Sequence, residues 1–379
     1  MSQPINRKCV MIIAGEASGD IHGAKLVSAM KERNKDLIFH GIGGKALKDA
    51  GVEIIQDAST LAVVGITEVF SKIFSLIKGM AGAKKLLKDL KPGLLILIDF
   101  PDFNLKIAAN AKKLGIPVLY YISPQVWAWR QGRVKKIKKL VNHLAVILPF
   151  EKEFFKKHGV PVSYVGHPLL DGGLSPVKLN EKEDAAVVVG LLPGSRDGEV
   201  LRHLPVMLEA ASLIVKKMNR IKIAVSLAPT VEREYVEKII GQHGAYDYEI
   251  VSGGADKILK MCSLVVAASG TVTLEAAIAG VPMVIIYKVS PVSYRLGRAM
   301  IKVPNICLVN LIAGREIVPE LIQNEATPGK IADEVLSIIG DSEKIESMRN
   351  ELIGIRNLLG GPGASGRVAD IAISMLAAS

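Results

Sequence analysis

Three features of the sequence predict two doubly wound α/β domains in succession. Short apolar, β-branched runs recur along the chain, each followed by a glycine loop and then a helical period, the alternation of βα units on a parallel sheet. The runs form two series, parted by the polar stretch SPVKLNEKED at 175–184. Leu94–Asp99 is apolar almost throughout, as a strand covered on both faces must be. A chain of 379 residues, 49% apolar and 22% charged, is long enough for two cores.

The first series opens with a strand over Lys8–Ala14, the loop Gly15-Glu16-Ala17-Ser18-Gly19-Asp20 and a helix over Ile21–Lys31. Leu37–Ile42 repeats the unit and leads through glycines into a helix over Lys45–Ala50. Leu94–Asp99, Val118–Ile122 and Leu144–Leu148 continue it. The second series has strands over Ala185–Leu192, Ile221–Ser226, Tyr248–Val251, Leu264–Ala267 and Met283–Tyr287. The boundaries drawn are 1–170, 171–345 and a helical segment 346–379. Ligands of such sheets bind beyond the carboxyl ends of the strands, so the expected site is a cleft between two facing domains.

Net charge is +11, and all of the excess lies early: residues 1–171 carry 26 Lys+Arg against 14 Asp+Glu, residues 172–379 carry 22 against 23. An anionic partner for the first half follows, whether nucleic acid, a phospholipid surface or a phosphorylated substrate, with solubility alone as the plain alternative. Cys9, Cys262 and Cys307 form neither a CxxC pair nor a zinc spacing, so no disulfide framework or structural zinc is expected. No signal peptide and no membrane-spanning run is expected either.

Gly41-Ile42-Gly43-Gly44-Lys45-Ala46 fits G-x-G-x-x-A, but it follows the second strand and not the first, which argues against a dinucleotide enzyme. Walker, G-x-S-x-G and D-x-D patterns are missing, so a P-loop NTPase, a serine hydrolase and a metal-dependent transfer are disfavoured. The second half is more informative. Gly194-Ser195-Arg196 and Ser269-Gly270-Thr271 each close a strand and open a helix, so their backbone N–H groups and dipole ends suit phosphate. Arg196 adds a forked cation, and Glu275 suits two adjacent ribose hydroxyls. Two such loops in one sheet favour a nucleoside diphosphate over two tight turns. In the first half Asp99 ends a buried strand, where a general base would stand; Asp99 or Asp102 would serve equally as a helix cap. The base is left open among Asp99, Asp102, Glu16 and His22.

Ile66, Val69, Phe70, Ile73, Phe74 and Ile77 follow helical spacing, which reads as a core stripe or as an apolar landing face for lipid. Trp127, Trp129, Arg130, Arg133, Lys135, Lys136, Lys138 and Lys139 set aromatics beside cations. They read as an anion-facing patch or as a solvated basic helix.

GEASGD at 15–20, the Asp99–Asn104 segment, SPQVWAWR at 123–130, LPFE at 148–151, VGHPL at 165–169, LLPGSR at 191–196, SGTVTLE at 269–275 and NLIAGRE at 310–316 follow one another in order. The ordered set resembles the lipid-A-disaccharide synthases, glycosyltransferase family 19, from end to end. The chain departs from the family pattern at Phe100, where a small residue is usual. The resemblance implies a GT-B fold of two Rossmann-like domains and an inverting, cofactor-free and metal-independent transfer. The donor would be UDP-2,3-diacylglucosamine and the acceptor 2,3-diacylglucosamine 1-phosphate. It also implies a peripheral enzyme on the cytoplasmic face of an anionic inner membrane, and a homodimer. The C-terminal segment would pack back on the first domain or be exchanged between the two chains. No nucleic acid is expected. Asp99 would take the acceptor proton; Arg196, the Ser269 loop and Asn310 would hold the diphosphate; Glu16, Ser18, Gly19, Asp20 and His22 would line the acceptor side. Rival readings are another UDP-GlcNAc-dependent GT-B transferase or epimerase, and a non-catalytic nucleic-acid- or membrane-binding α/β protein.

Overall fold

The computed structural model describes residues 6–57, 69–129, 131–177, 186–218, 220–243, 247–291, 294–295 and 305–378, with side chains 6–7 and 69–76 outside that description. The chain forms two compact units, Met1–Asp171 with Leu359–Ser379, and Gly172–Leu358.

The first unit runs β1 (Asn6–Ala14), α1 (Ala17–Arg33), β2 (Ile38–Gly43), α2 (Lys45–Asp49), β3 (Glu53–Asp57), α3 (Val69–Leu90), β4 (Pro92–Ile98), α4 (Pro101–Lys113), β5 (Val118–Tyr121), α5 (Arg133–Leu140), β6 (His143–Val146), α6 (Pro149–Lys157) and β7 (Val162–Tyr164). A 3-10 turn over Pro168–Gly172 follows. The strands form one seven-stranded sheet in the order β3-β2-β1-β4-β5-β6-β7. Every residue of β4 is buried, and period-two alternation divides the central strands between two cores. Met11, Ile13, Leu95 and Leu97 join one core, and Val10, Ile12, Leu94 and Ile96 join the other. Fully burying a side chain of this size contributes roughly 1.5–3 kcal/mol.

The second unit runs β8 (Val187–Leu192), α7 (Asp197–Lys217), β9 (Ile221–Leu227), α8 (Arg233–His243), β10 (Tyr248–Ser252), α9 (Ala255–Leu259), β11 (Leu264–Ala268), α10 (Thr271–Ala279), β12 (Met283–Tyr287), α11 (Leu308–Ala313), β13 (Glu320–Ile322), α12 (Pro328–Ile339) and α13 (Ser342–Leu358). Its six strands lie in the order β10-β9-β8-β11-β12-β13. Both sheets are parallel in all recorded pairings. Both also reverse direction between their first and fourth strands, the switch point where loops leave to opposite sides and open a crevice.

The last helix, α14 (Ala364–Ala378), returns to the first unit. Val368, Ala369 and Ala372 enter its core. Arg33 on α1 donates to Asp370 at 2.6 Å and to the Gly366 carbonyl at 3.0 Å. Asp171 caps the helix by accepting from the backbone N–H groups of Gly363, Ala364 and Ser365 at 2.7–3.0 Å and from the Ser365 hydroxyl at 2.8 Å. All three cysteines are buried and free. Among the described residues, no helix is long and apolar enough to cross a membrane.

Candidate active site

At the switch point of the first sheet, β1 and β4 end side by side, with Ala14 paired to Ile98. The next residues of each strand therefore meet. Gly15-Glu16 leads into α1, and Asp99-Phe100 leads into α4. Asp99 and Phe100 have φ of 46° and 48°, two successive non-glycine residues in the left-handed region, each costing about 1–2 kcal/mol. Proline at the first position of α4 pre-sets the helix beyond them. The ring of Phe100 stacks on Phe103 with centroids 5.2 Å apart. Its other flank lies where any side chain on residue 15 would have to go. Gly15 is thus the companion of Phe100, since a side chain there would collide with the ring.

Burial pushes the Asp99 carboxyl up to about 6, and the Glu16 charge adds to the rise against the Phe100 backbone N–H, which favours the ionised form. That places a proton acceptor near neutrality, the range a general base needs. Asp102 sits in the first turn of α4, three-quarters exposed and paired with Arg133. His22 is driven down to about 4 by burial and by Lys25, so its imidazole is a weak base. Its Nδ1 has no hydrogen-bond partner among the described residues. Of the four base candidates, Asp99 and Glu16 stand next to each other where β4 and β1 end.

The other expected acceptor-side residues divide. Ser18 is exposed in the first turn of α1, and Gly19 is buried beside Ile98 and Ala14. Asp20 serves a different purpose from the one expected. Its carboxylate accepts from the N–H groups of Gly44, Ala46 and Leu47 at 2.7, 2.8 and 3.2 Å. It therefore caps α2, and the glycine run at 41–44 is shaped around this cap rather than around a dinucleotide.

SPQVWAWR is anchored by Glu151, the last residue of the LPFE stretch. Glu151 is 1% exposed and accepts from the Ser123 hydroxyl at 2.7 Å, the Trp127 indole N–H at 3.0 Å and the Leu148 N–H at 3.0 Å. Burial raises its carboxyl while these bonds pull it back. Trp127 is buried, edge-on to Phe150, and Trp129 is partly exposed. In α5, Val134, Ile137 and Leu140 face inward, while Lys135, Lys136, Lys138 and Lys139 are exposed. Arg130 and Ile66 lie outside the described residues, as do the side chains of Val69, Phe70, Ile73 and Phe74. Ile77, the end of that stripe, is 62% exposed.

In the second unit the two phosphate-type loops also leave neighbouring strands, since Leu192 at the end of β8 pairs with Ala267 in β11. Neither following helix receives a side-chain cap from its N-cap residue, which leaves N–H groups oriented as an anion site requires. Gly194, at φ 121°, has Glu199 packed where a side chain would stand. Glu199 accepts from the Ser195 N–H and from Arg196, both at 3.0 Å, and Thr230 donates to the Ser195 carbonyl at 2.6 Å. Buried His203 pins the loop from behind. Its Nδ1 lies 3.0 Å from the Pro193 carbonyl, and its Nε2 accepts from the Lys288 N–H at 3.1 Å; this fixes the proton on Nδ1. Gly270 and Thr271 are exposed at the mouth of α10. Glu275 lies one turn in, its carboxyl raised by burial and by Asp256.

Asn310 has no polar capacity left for the expected diphosphate contact. It is fully buried, donates to Val318 O at 2.9 Å and Glu320 at 2.7 Å, and accepts from Ile317 N and Val318 N at 2.8 and 3.1 Å. Both amide protons and both carbonyl lone pairs are used, so this side chain braces the NLIAGRE turn. Among the described residues no three His, Cys, Asp or Glu side chains converge as a metal site would need.

The comparisons agree on one family. The family model described as Lipid-A-disaccharide synthetase matches residues 10–359. A lipid-A-disaccharide synthase of Syntrophus aciditrophicus is 46% identical, over 98% of this chain and 99% of the relative. That of Geobacter metallireducens is 45% identical over 97% of each. Among solved structures, a UDP-GlcNAc 2-epimerase from Neisseria meningitidis bound to UDP-GlcNAc has a TM-score of 0.66 at 12% identity, covering 97% of this chain and 100% of that one. Acinetobacter baumannii MurG has a TM-score of 0.57 at 16% identity, covering 96% and 98%. At such identities these structures speak for the fold alone, which is that of the GT-B glycosyltransferases and epimerases. The family model matched over residues 10–359, with relatives 45–46% identical along nearly the whole sequence, places this chain in the lipid-A-disaccharide synthetase family.

Proposed function

We infer that the chain is an inverting hexosyltransferase. It joins UDP-2,3-diacylglucosamine to the 6-hydroxyl of 2,3-diacylglucosamine 1-phosphate, giving the β(1→6) lipid A disaccharide 1-phosphate and UDP. The observation that carries the mechanism is the half-buried Asp99 carboxylate, held beside Glu16 at the meeting of β1 and β4 with its proton affinity raised to about 6. Asp99 takes the proton of the acceptor hydroxyl as that oxygen attacks the anomeric carbon from the face opposite UDP. The bond from the anomeric carbon to the β-phosphate oxygen breaks, and its electron pair leaves with UDP. Arg196 and the N–H groups opening α7 and α10 offset the charge that develops on the diphosphate. Glu275 holds the ribose.

The first unit carries the acceptor and membrane side. Its exposed lysines on α5 and the exposed Ile77 support peripheral attachment to an anionic bilayer, on the cytoplasmic face of the inner membrane. A homodimer is part of the same proposal: the contacts that α14 makes with α1 in its own chain are those an exchanged segment would make with a partner's.

The test is a transfer assay with the two diacylated sugars, read by mass spectrometry of the lipid product. A disaccharide 1-phosphate is expected. Failure to form it, with UDP raising the melting temperature normally, would leave a UDP-sugar enzyme of another specificity. Failure of UDP at millimolar concentration to raise that temperature would point to a non-catalytic protein.

A further inference from the structure

The peptide that carries Asp99 is held by two buried side chains, one in β5 and one at the end of the Asp99–Asn104 segment. Tyr120, the third residue of β5, is fully buried and donates its hydroxyl to the Asp99 carbonyl at 2.6 Å. Asn104, in the first turns of α4, is fully buried as well. Its amide donates to the same carbonyl at 2.7 Å and to the Ile98 carbonyl at 3.2 Å. The Asn104 carbonyl oxygen has no hydrogen-bond partner among the described residues. A residue recruited only to fill the core would not bury an unmet acceptor, and a phenylalanine would fill the volume of Tyr120 without burying a hydroxyl. Both polar groups converge on one atom, in the middle of a turn whose two residues occupy the left-handed region. Strain of that kind persists only where the surroundings over-determine it.

We propose that Tyr120 and Asn104 are positioning residues for the transfer, locking the carbonyl of Asp99 so that the strained turn presents its carboxylate to the acceptor hydroxyl. This rests on Asp99 as the base. Rotating the Asp99 peptide toward an ordinary strand conformation would swing the side chain with it, and proton transfer tolerates little displacement. Neither residue touches substrate; each acts through Asp99.

Tyr120→Phe removes one hydroxyl and leaves the ring. The expected result is a fall in kcat of about tenfold or more, with KM for both sugars and the UDP affinity within about twofold of the parent. The acid limb of the kcat/KM profile, which Asp99 sets, moves. In an Asp99→Asn background, Tyr120→Phe has no further effect on turnover, because a residue acting only through another is silent once that one is gone. Asn104→Ala, which leaves Tyr120 in place, is read the same way if Tyr120→Phe does not give folded protein. Parental kcat and an unmoved pH profile in these variants, with only a lower melting temperature, would overturn the proposal while leaving Asp99 as the base. Full turnover in Asp99→Asn alone would instead remove the base assignment.

Discussion

Replacing Asp99 by Asn separates catalysis from stability, and the two effects have opposite signs. Burial first, and then the Glu16 charge, lift the folded-state carboxyl from its ordinary 3.8 to about 6. Between these values the folded chain holds a proton that the unfolded chain has released. Stability therefore falls as pH rises through this window and stays lower above it. About two pH units at about 1.4 kcal/mol each set a ceiling of about 3 kcal/mol, and the water reaching this half-buried side chain reduces the expected cost to about 1–2 kcal/mol. Asn cannot ionise. Denaturant unfolding should show Asp99→Asn no more stable than the parent at pH 4 and about 1–2 kcal/mol more stable at pH 7.5. Turnover of the same variant should fall by about 10²–10⁴-fold with UDP binding intact. A stability difference that does not change between pH 4 and 7.5 would show that the Asp99 carboxyl is not raised in the folded chain. Near-parental turnover would show that some other group takes the proton.

Arg196→Ala should weaken UDP binding by about tenfold or more and lower transfer together, with little change in melting temperature, since the side chain is two-thirds exposed; unchanged UDP affinity by calorimetry would move the diphosphate elsewhere. Asp171→Ala should cost about 2 kcal/mol, from the loss of a charged cap on α14. Burial would raise the Asp171 carboxyl, but the hydrogen bonds from Ser365, Gly363 and Ala364 outweigh it and hold it below its usual value. This contribution is therefore complete above the ordinary aspartate range and is lost as pH falls through the lowered folded value, which unfolding across pH 2–6 would trace. Glu151→Ala should destabilise by about 3 kcal/mol, because three buried donors lose their acceptor, while Glu151→Gln, keeping an acceptor, should recover much of it. Equal losses in the two variants, measured by denaturation, would show that packing rather than the acceptor anchors SPQVWAWR.

The central strands were legible because burial on both faces writes itself into composition: β4, β8, β11 and β12 are unbroken apolar runs, as is β1 from Cys9 onward. The strands that sequence patterning missed, β3, β7 and β13, each lie at the rim of a sheet. Glu53–Asp57 alternates exposed and half-buried residues, and Val162–Tyr164 and Glu320–Ile322 are half-buried throughout, so they carry no strong apolar signal. For the site, residue type and position at a strand end sufficed to single out Asp99 and the Gly194–Arg196 loop. What each polar side chain is bonded to was not legible, because those partners come from far along the chain. Asp20 reads as a loop carboxylate until the α2 amides are seen to fill it. Asn310 sits inside a family motif, yet its four bonds point inward. Nothing in the sequence ties Tyr120, Glu151 or His203 to the distant groups that their buried polar atoms hold.

The two switch points also solve the sharp strand-to-helix turn differently, and the difference follows from the chemistry at each. A diphosphate is held by backbone N–H groups, which need no side chain at the turn. The second unit, proposed to hold the diphosphate, has Gly194 at positive φ, where glycine adopts that conformation at little cost. With Asp99 as the proposed base, proton abstraction needs a carboxylate at the turn itself, so glycine is not available to the first unit at position 99. It holds Asp99 and Phe100 in the left-handed region and adds Ile122, a β-branched residue at φ 59°, just past the end of β5. The left-handed conformation is thus imposed on residues that resist it where a side chain must act, and left to glycine where only the main chain must. The hydrogen bonds from Tyr120 and Asn104 lie on the costly turn of the first sheet, as expected if holding that carboxylate in place is what the strain is for.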